Sequence, residues 1–439
     1  MRPIEVIGGG LAGCEAAWQI AKRGIPVLIS EMKPHRRSPA HRSGDLAELV
    51  CSNSLKSDRI DRAGGLLKAE LRLMGSLLLD IASRTAIPGG SSLCVDRNRF
   101  SQSVTAAIED QPLISLVRKE ILTLPDGGPT VVATGPLTSD SLAGSIENLM
   151  GRGSLAFYDA IAPTVEAESI DWEKVFLQDR YGDAGSGAYV NCPLEREEYF
   201  VFLEALRKAE QVMPRPFEEE RVFEACLPVE VLAARGDRTL AFGPMRPVGL
   251  TDPRTSRRPF AVVQLRPENE SGTLYSMVGF QTKLKYAEQE RVFRMIPGLE
   301  RARFERLGSV HRNTFIDAPR LLDRFQRARK APRLIFAGQI TGVEGYVESI
   351  ASGALAGIYA SAAYRDIPVE PPPPTTMVGA LLHHLTHQAS KPFQPVNAQF
   401  GLLQTMDGQG GRRSDRRTLL SERALADMRE YIASLPSGL

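Results

Sequence analysis

The stretch IEVIGGGLAGCEAAWQIAKRGIPVLISE, residues 4–31, decides the fold. Ile4–Ile7 is apolar apart from Glu5 and reads as a strand, and Gly8-Gly9-Gly10-Leu11-Ala12-Gly13 follows at once. Leu11, Cys14, Ala17, Trp18 and Ala21 then recur at helical spacing to about Lys22. Gly24 stops that helix, and Ile25–Ser30 reads as a second strand ending at Glu31. This is a β-α-β unit of parallel type. Gly8 permits the tight turn, Gly10 lets backbone approach a pyrophosphate, and Gly13 lets helix pack on strand. The helix start at Leu11 and Ala12 turns unpaired amides and the positive end of the helix dipole toward the phosphates. Glu31 lies 18 residues beyond Gly13, at the strand end where a carboxylate accepts hydrogen bonds from a ribose. The spacing predicts a dinucleotide site.

Which dinucleotide follows from the rest of the chain. A nicotinamide dehydrogenase uses such a motif once and keeps its catalytic domain elsewhere. Flavoproteins of the glutathione-reductase type return at the end of the chain to close over the isoalloxazine. Arg333–Ala337 reads as a late strand entering Gly338-Gln339-Ile340-Thr341-Gly342-Val343-Glu344-Gly345-Tyr346, and a helix rich in Ala, Gly and Ser spans Val347–Ala363. The strand Thr130–Ala133 runs into Thr134-Gly135-Pro136, similar to the middle contact of that fold. Many such flavoproteins have Asp where Gln339 stands here. These features favour FAD, held by Gly8, Gly10–Gly13, Glu31, Gly135, Gly338, Gln339 and Gly345. Without a second GxGxxG, a nicotinamide donor would bind without a Rossmann domain of its own.

The expected fold is therefore α/β: a glutathione-reductase-type Rossmann FAD-binding domain with an inserted α+β domain. The first part spans 1–158, the insertion 159–324, and the second part with a helical tail 325–439. Inside the insertion, Pro259–Leu265 and Leu274–Phe280 alternate like half-buried antiparallel strands, and Glu195–Gln211 looks helical. Pro371–Pro374 is a stiff connector.

Composition narrows the class. The 439 residues are 43% hydrophobic and 24% charged, near globular averages, which excludes a disordered or fibrous chain. Fifty-four basic against 52 acidic residues leave +2, so net charge selects no partner. Locally it is uneven, with 15 acids to seven bases over 166–224 and 12 bases to four acids over 291–333. The second of these, and a basic knot at Arg412, Arg413, Arg416 and Arg417, would suit phosphates. No run of about 18 apolar residues could span a bilayer. The opening strand leaves no room for a signal peptide. A reduced, cytoplasmic protein is the expectation. His383, His384 and His387 include an i,i+4 pair without the Glu of HExxH or an evident third ligand, so no metal is expected.

Five cysteines without a Cys-x-x-Cys pair argue against a disulfide scaffold, a zinc ribbon and a disulfide reductase. Cys14 lies on the packed face of the first helix, and Cys94 and Cys192 have no activating neighbour in sequence. Cys51 differs, set in the polar run LVCSNSLKSD (49–58) with Lys56 nearby, and so does Cys226, in FEACLP (223–228) before a proline-fixed turn.

The surroundings of Cys51, the run CLPVEVLAARGDRTLAFGPMRPVGLTDPR (226–254), QLRPEN (264–269), MVGFQTK (277–283), HRNTF (311–315) and Gly338–Ser352 closely resemble one family. It is the folate- and FAD-dependent tRNA (uracil-5-)-methyltransferases of bacteria. The resemblance runs from residue 1 to about 403, and the tail after Leu403 departs from it. It implies a substrate uridine at position 54 in the T loop of tRNA. The one-carbon unit would come from 5,10-methylenetetrahydrofolate by way of the flavin, with NADPH or NADH reducing FAD. Cys226 matches the nucleophile that adds to carbon 6 of uracil, and Cys51 matches the second cysteine, a base or a flavin-side thiol. Tyr346 would stack on flavin or base, and His311, Arg312 and Asn313 would face the folate. The related flavoproteins that modify the wobble uridine share the Gly-Gln turn but carry a long helical C-terminal domain.

Overall fold

The computed structural model describes residues 2–38, 40–151, 155–183, 187–212, 227–387, 393–404 and 413–439; along 155–159, 310–314 and 413–415 it describes backbone alone. One sheet has six strands in the order Arg327–Ala328, Ala331–Phe336, Thr130–Val132, Ile4–Ile7, Val27–Glu31, Ile114–Arg118. All neighbours are parallel except the Arg327–Ala328 edge. The chain leaves Ile4–Ile7 first toward Val27–Glu31 and later toward Thr130–Val132, so the order reverses at the opening strand. In such sheets the crevice beyond the carboxyl ends at the reversal is where ligands bind. The glycine turn quoted above sits there.

The first helix, Leu11–Lys22, is buried along most of its length against the helix Tyr346–Arg365. Small residues make that approach possible: a Cβ on Gly353 would overlap the carbonyl of Ala12, and one on Gly357 the carbonyl of Ala16. The later helix is buried from Val347 to Ala362, with no solvent stripe, because it is covered on all sides. Glu70, buried in the helix Ala63–Leu73, accepts from the amides of Met377 and Val378 at 2.7 and 2.8 Å, satisfying the start of the helix Met377–Thr386. The helix Arg413–Ser434 packs on Ala63–Leu73, where Ser421 Oγ donates to the carbonyl of Ile60 at 2.7 Å.

A second six-stranded sheet is antiparallel, in the order Phe176–Leu177, Val190–Leu194, Ala261–Pro267, Leu274–Met277, Thr164–Glu166, Phe304–Arg306. Its central strand Ala261–Pro267 is buried at every position. Side chains alternate across a strand, and here the two faces have different jobs. Ala261, Val263 and Leu265 join a core with Tyr199, Phe202 and Leu206 of the helix Arg196–Lys208. Gln264 and Arg266, two residues apart on the opposite face, are buried polar groups. The strands Leu155–Ala160 and Val310–Phe315 pair antiparallel with His311 opposite Asp159. Among the described residues no helix is long and apolar enough to cross a membrane.

Candidate active site

The turn after the first strand has the geometry its glycines require. Gly8 takes a φ of +101°, and a Cβ on Gly13 would land on the carbonyl of Gly8. At Gly10 nothing lies within 4 Å of where a Cβ would sit, and the same holds at Gly135, whose φ is +68°. Open space therefore stands in front of the first-turn amides of Leu11 and Ala12, which any helix leaves without an internal acceptor. Glu31 is buried at the end of the second strand, accepting from Gly9 N at 2.6 Å and Lys33 N at 2.9 Å. These groups border a cleft of about 620 Å³, with Gly8, Gly10 and Glu31 on one side and Thr134 and Leu137 on the other. The donor set and the open cradle at Gly10 fit a dinucleotide pyrophosphate and ribose.

Leu137 also lines a second cleft of about 960 Å³, so the two adjoin. Its walls include Cys51, Ser52, Lys56, Gln339, Gly345 and Tyr346. Gln339 Nε2 donates to Glu344 Oε2 at 2.9 Å, and Gly338 N donates to Ser352 Oγ at 3.0 Å, fixing the late turn to the small-residue helix. Lys56 Nζ lies 2.8 Å from Glu348 Oε1; that carboxylate is fully buried in the first turn of the helix and also accepts from Ala398 N.

The segment 50–57 is gripped from several elements. Tyr346 Oη accepts from the amides of Cys51 and Ser52 at 2.8 and 3.0 Å. Arg266 Nε donates to Asn53 Oδ1 and Nη2 to Ser52 Oγ, both at 2.8 Å. Arg306 Nη1 donates to the carbonyl of Val50 at 2.9 Å. Asn53 Nδ2 donates to the carbonyls of Val95 and Pro267 at 3.0 and 2.9 Å, so one amide ties the short strand Ser92–Val95 to the antiparallel sheet. Below, Lys68 Nζ donates to the carbonyls of Leu55, Lys56 and Ser57 at 2.7, 3.1 and 2.8 Å. Those bonds hold Lys56 at a φ of +62°, an uncommon conformation for a side-chain-bearing residue.

Charge around this loop is predominantly positive. Arg97 pairs with Glu268 at 2.5 Å, while Arg97 Nε, Glu268 Oε1 and Arg306 Nε and Nη2 are buried without a hydrogen-bond partner among the described residues. Burial, with Arg97 close by, lowers the Arg306 guanidinium to about 10. Burial, then the neighbouring Cys51, pushes the Tyr346 phenol up, so it stays protonated and can donate while it accepts. Burial likewise raises the thiols of Cys14, Cys94 and Cys192, which keeps them in the unreactive form.

The cleft thus brings Cys51, Gln339, Gly345 and Tyr346 together. Cys226 lies outside the described residues, as do the side chains of His311, Arg312 and Asn313. Asn53, Lys68, Arg97, Arg266 and Arg306 were not singled out in the sequence; the QLRPEN string containing Arg266 was the available signal. The basic run 291–333 is largely neutralised in place: Arg291 pairs with Glu288, Arg294 with Glu290, and Arg303 with Glu166. No group of three or more metal-ligating side chains occurs among the described residues.

The glucose inhibited division protein A (GIDA) family model matches residues 3–368. Among solved structures, Aquifex aeolicus GidA in its form I crystal has a TM-score of 0.69 at 17% identity, covering 98% of this chain and 76% of that one, which establishes a shared fold. Among curated relatives, methylenetetrahydrofolate--tRNA-(uracil-5-)-methyltransferase TrmFO of Geobacter sulfurreducens is 55% identical over 432 residues, 98% of this chain and 99% of its own. The protein of the same name from Syntrophotalea carbinolica is 54% identical over 428 residues, 98% and 93% of the respective chains. With a Rossmann FAD-binding fold, a matching family model and identity above one half along nearly its whole length, the chain belongs to the GIDA family and to the methylenetetrahydrofolate--tRNA-(uracil-5-)-methyltransferase TrmFO proteins.

Proposed function

We propose that the chain methylates carbon 5 of the T-loop uridine, position 54, of tRNA, with 5,10-methylenetetrahydrofolate as donor and NADPH or NADH as reductant. The observation that carries this reading is identity of 54–55% along 98% of the chain to proteins bearing that enzyme name. Gly8, Gly10, Leu11, Ala12, Gly13, Glu31 and Gly135 would hold the adenosine and pyrophosphate of FAD, with Gly338, Gln339 and Gly345 on the isoalloxazine side. FAD supplies, when bound, the one-carbon relay and the hydride that turns an exocyclic methylene into a methyl group.

The protein's own groups do the rest. Cys226 as thiolate adds to carbon 6 of uracil, and the electron pair displaced onto the ring makes carbon 5 nucleophilic. The chain just downstream of Cys226 is anchored at the Cys51 cleft, since Val229 N donates at 2.7 Å to the carbonyl of Gln281, a lining residue. Once carbon 5 carries its substituent, Cys51 removes the proton there, and when the methyl group is complete carbon 6 expels the Cys226 thiolate, restoring the ring double bond. The guanidinium groups of Arg97 and Arg306 stand within electrostatic reach of Cys51, and Tyr346 holds the Cys51 amide. His311, Arg312 and Asn313 face the folate. A division of the chain at 1–158, 159–324 and 325–439 accompanies this reading, and the protein acts in the cytoplasm without a metal.

A single-turnover assay tests it, with purified holoenzyme, unmodified tRNA, radiolabelled methylenetetrahydrofolate and NADPH, run beside Cys226→Ala. Label in 5-methyluridine with the wild type alone is the expected result. No label in tRNA from protein that holds FAD and binds tRNA would overturn it.

A further inference from the structure

The sequence points to 291–333 for phosphate contacts, yet its arginines are largely bound to carboxylates. A different surface keeps its charge. Between Arg235 and Arg258 there are six arginines and two acids, Asp237 and Asp252. Both acids are engaged, Asp237 with Arg207 at 2.8 Å and Asp252 with Arg254 at 2.6 Å. Arg238, Arg246, Arg257 and Arg258 are exposed and make no ion pair with any described residue.

Two aromatic rings stand out from the same face. Phe242 is 73% exposed and Tyr181 78% exposed, the two highest values among the exposed large hydrophobic side chains of the described residues. The two are parts of one surface. Tyr181 N donates to the carbonyl of Gly249 at 2.8 Å, and Arg180 Nη1 donates to the carbonyls of Arg246 and Val248 at 2.6 and 3.0 Å. Burial and the like charge of Arg246 lower the Arg180 guanidinium, as expected of two cations held side by side. The surface also borders the Cys51 cleft. Pro244, two residues after Phe242, packs against Gly279, and Gln281 lines the cleft. Each two-residue step spans at most about 7 Å of chain.

Unpaired guanidinium groups alternating with exposed rings match single-stranded RNA, which offers phosphates for the cations and unstacked bases for the rings. We propose that Arg180, Tyr181, Phe242, Arg246, Arg257 and Arg258 form a single-stranded RNA-binding surface that grips loop nucleotides flanking the uridine in the cleft. The assignment rests on the tRNA-directed activity proposed above and names where that substrate is held. A flat phosphate-only site would need no rings.

The test measures binding of an unmodified tRNA transcript to the full-length holoenzyme at several KCl concentrations. Phe242→Ala should weaken binding about tenfold and leave the salt slope unchanged, because stacking is lost and no phosphate contact is. Arg257→Gln with Arg258→Gln should lower the slope of log affinity on log salt by about 1.4. Arg291→Gln with Arg294→Gln, already paired to acids, should bind as the wild type does. Binding and slope equal to wild type in both surface variants would overturn the surface while wild-type methylation keeps the activity reading. A wild type that binds no tRNA would overturn both.

Discussion

The polar anchor of the nucleotide cleft comes from close by in sequence: Glu31 reaches Gly9 across 22 residues. The Cys51 loop next door is held by Arg266 from 213 residues away, Arg306 from 256 and Tyr346 from 295. The first site is a property of a single β-α-β unit. The second exists only when both sheets are docked, because its donors sit on strands of the antiparallel sheet and its acceptor on the late helix. Local geometry therefore secures the glycine turn of the nucleotide cleft, while the Cys51 thiol is positioned by the assembled molecule.

The comparison breaks if damage to one site spreads to the other. Gly13→Val puts a branched side chain into the carbonyl of Gly8 and is expected to leave purified protein without flavin, at least a hundredfold weaker in FAD binding. The ratio of absorbance at 450 and 280 nm reads this. Retained flavin would show that the turn tolerates a wider helix–strand gap than its geometry allows. Arg266→Met should do the reverse. It strips Asn53 Oδ1 and Ser52 Oγ of their donor, costing about 3–5 kcal/mol in urea unfolding, and should lower methylation while flavin content stays near stoichiometric. Loss of flavin in that variant would erase the distinction between the sites.

Lys68 sharpens the contrast by pH. Its ammonium is buried under three carbonyls of the Cys51 segment, and burial lowers it from 10.5 to about 8. Between those values the unfolded chain binds more protons than the folded one, so Lys68's contribution to stability rises with pH and is lost as pH falls through about 8. Wild type minus Lys68→Gln, in unfolding free energy, should therefore grow by about 2 kcal/mol from pH 7.5 to pH 10. A difference that is flat or falls with pH would show that the three carbonyl bonds, not desolvation, govern this lysine.

What the sequence disclosed follows the same division. Gly8–Gly13 and Glu31 were legible because spacing within 28 residues fixes their geometry. The late turn at Gly338 was legible because a strand, glycines and a small-residue helix are contiguous there. Arg97, Arg266 and Arg306 were not, since nothing in a linear pattern says which strands meet. The basic run 291–333 carries less free charge than its count for a related reason: a count inside a window ignores acids outside it, and Glu166 and Glu288 are the partners of Arg303 and Arg291.

The parallel sheet draws its middle from the beginning of the chain and an outer strand from near residue 331. On a ribosome adding about 5–20 residues per second, Ala331–Phe336 follows Thr130–Val132 by about 10–40 s. During that interval the open edge of Thr130–Val132 has no neighbour, and such an edge is a template for unwanted pairing. The antiparallel sheet, complete once Phe304–Arg306 has emerged, is made in time to form first. Protection of nascent chains at that edge, by chaperone or by slow local folding, is therefore a requirement written into the strand order.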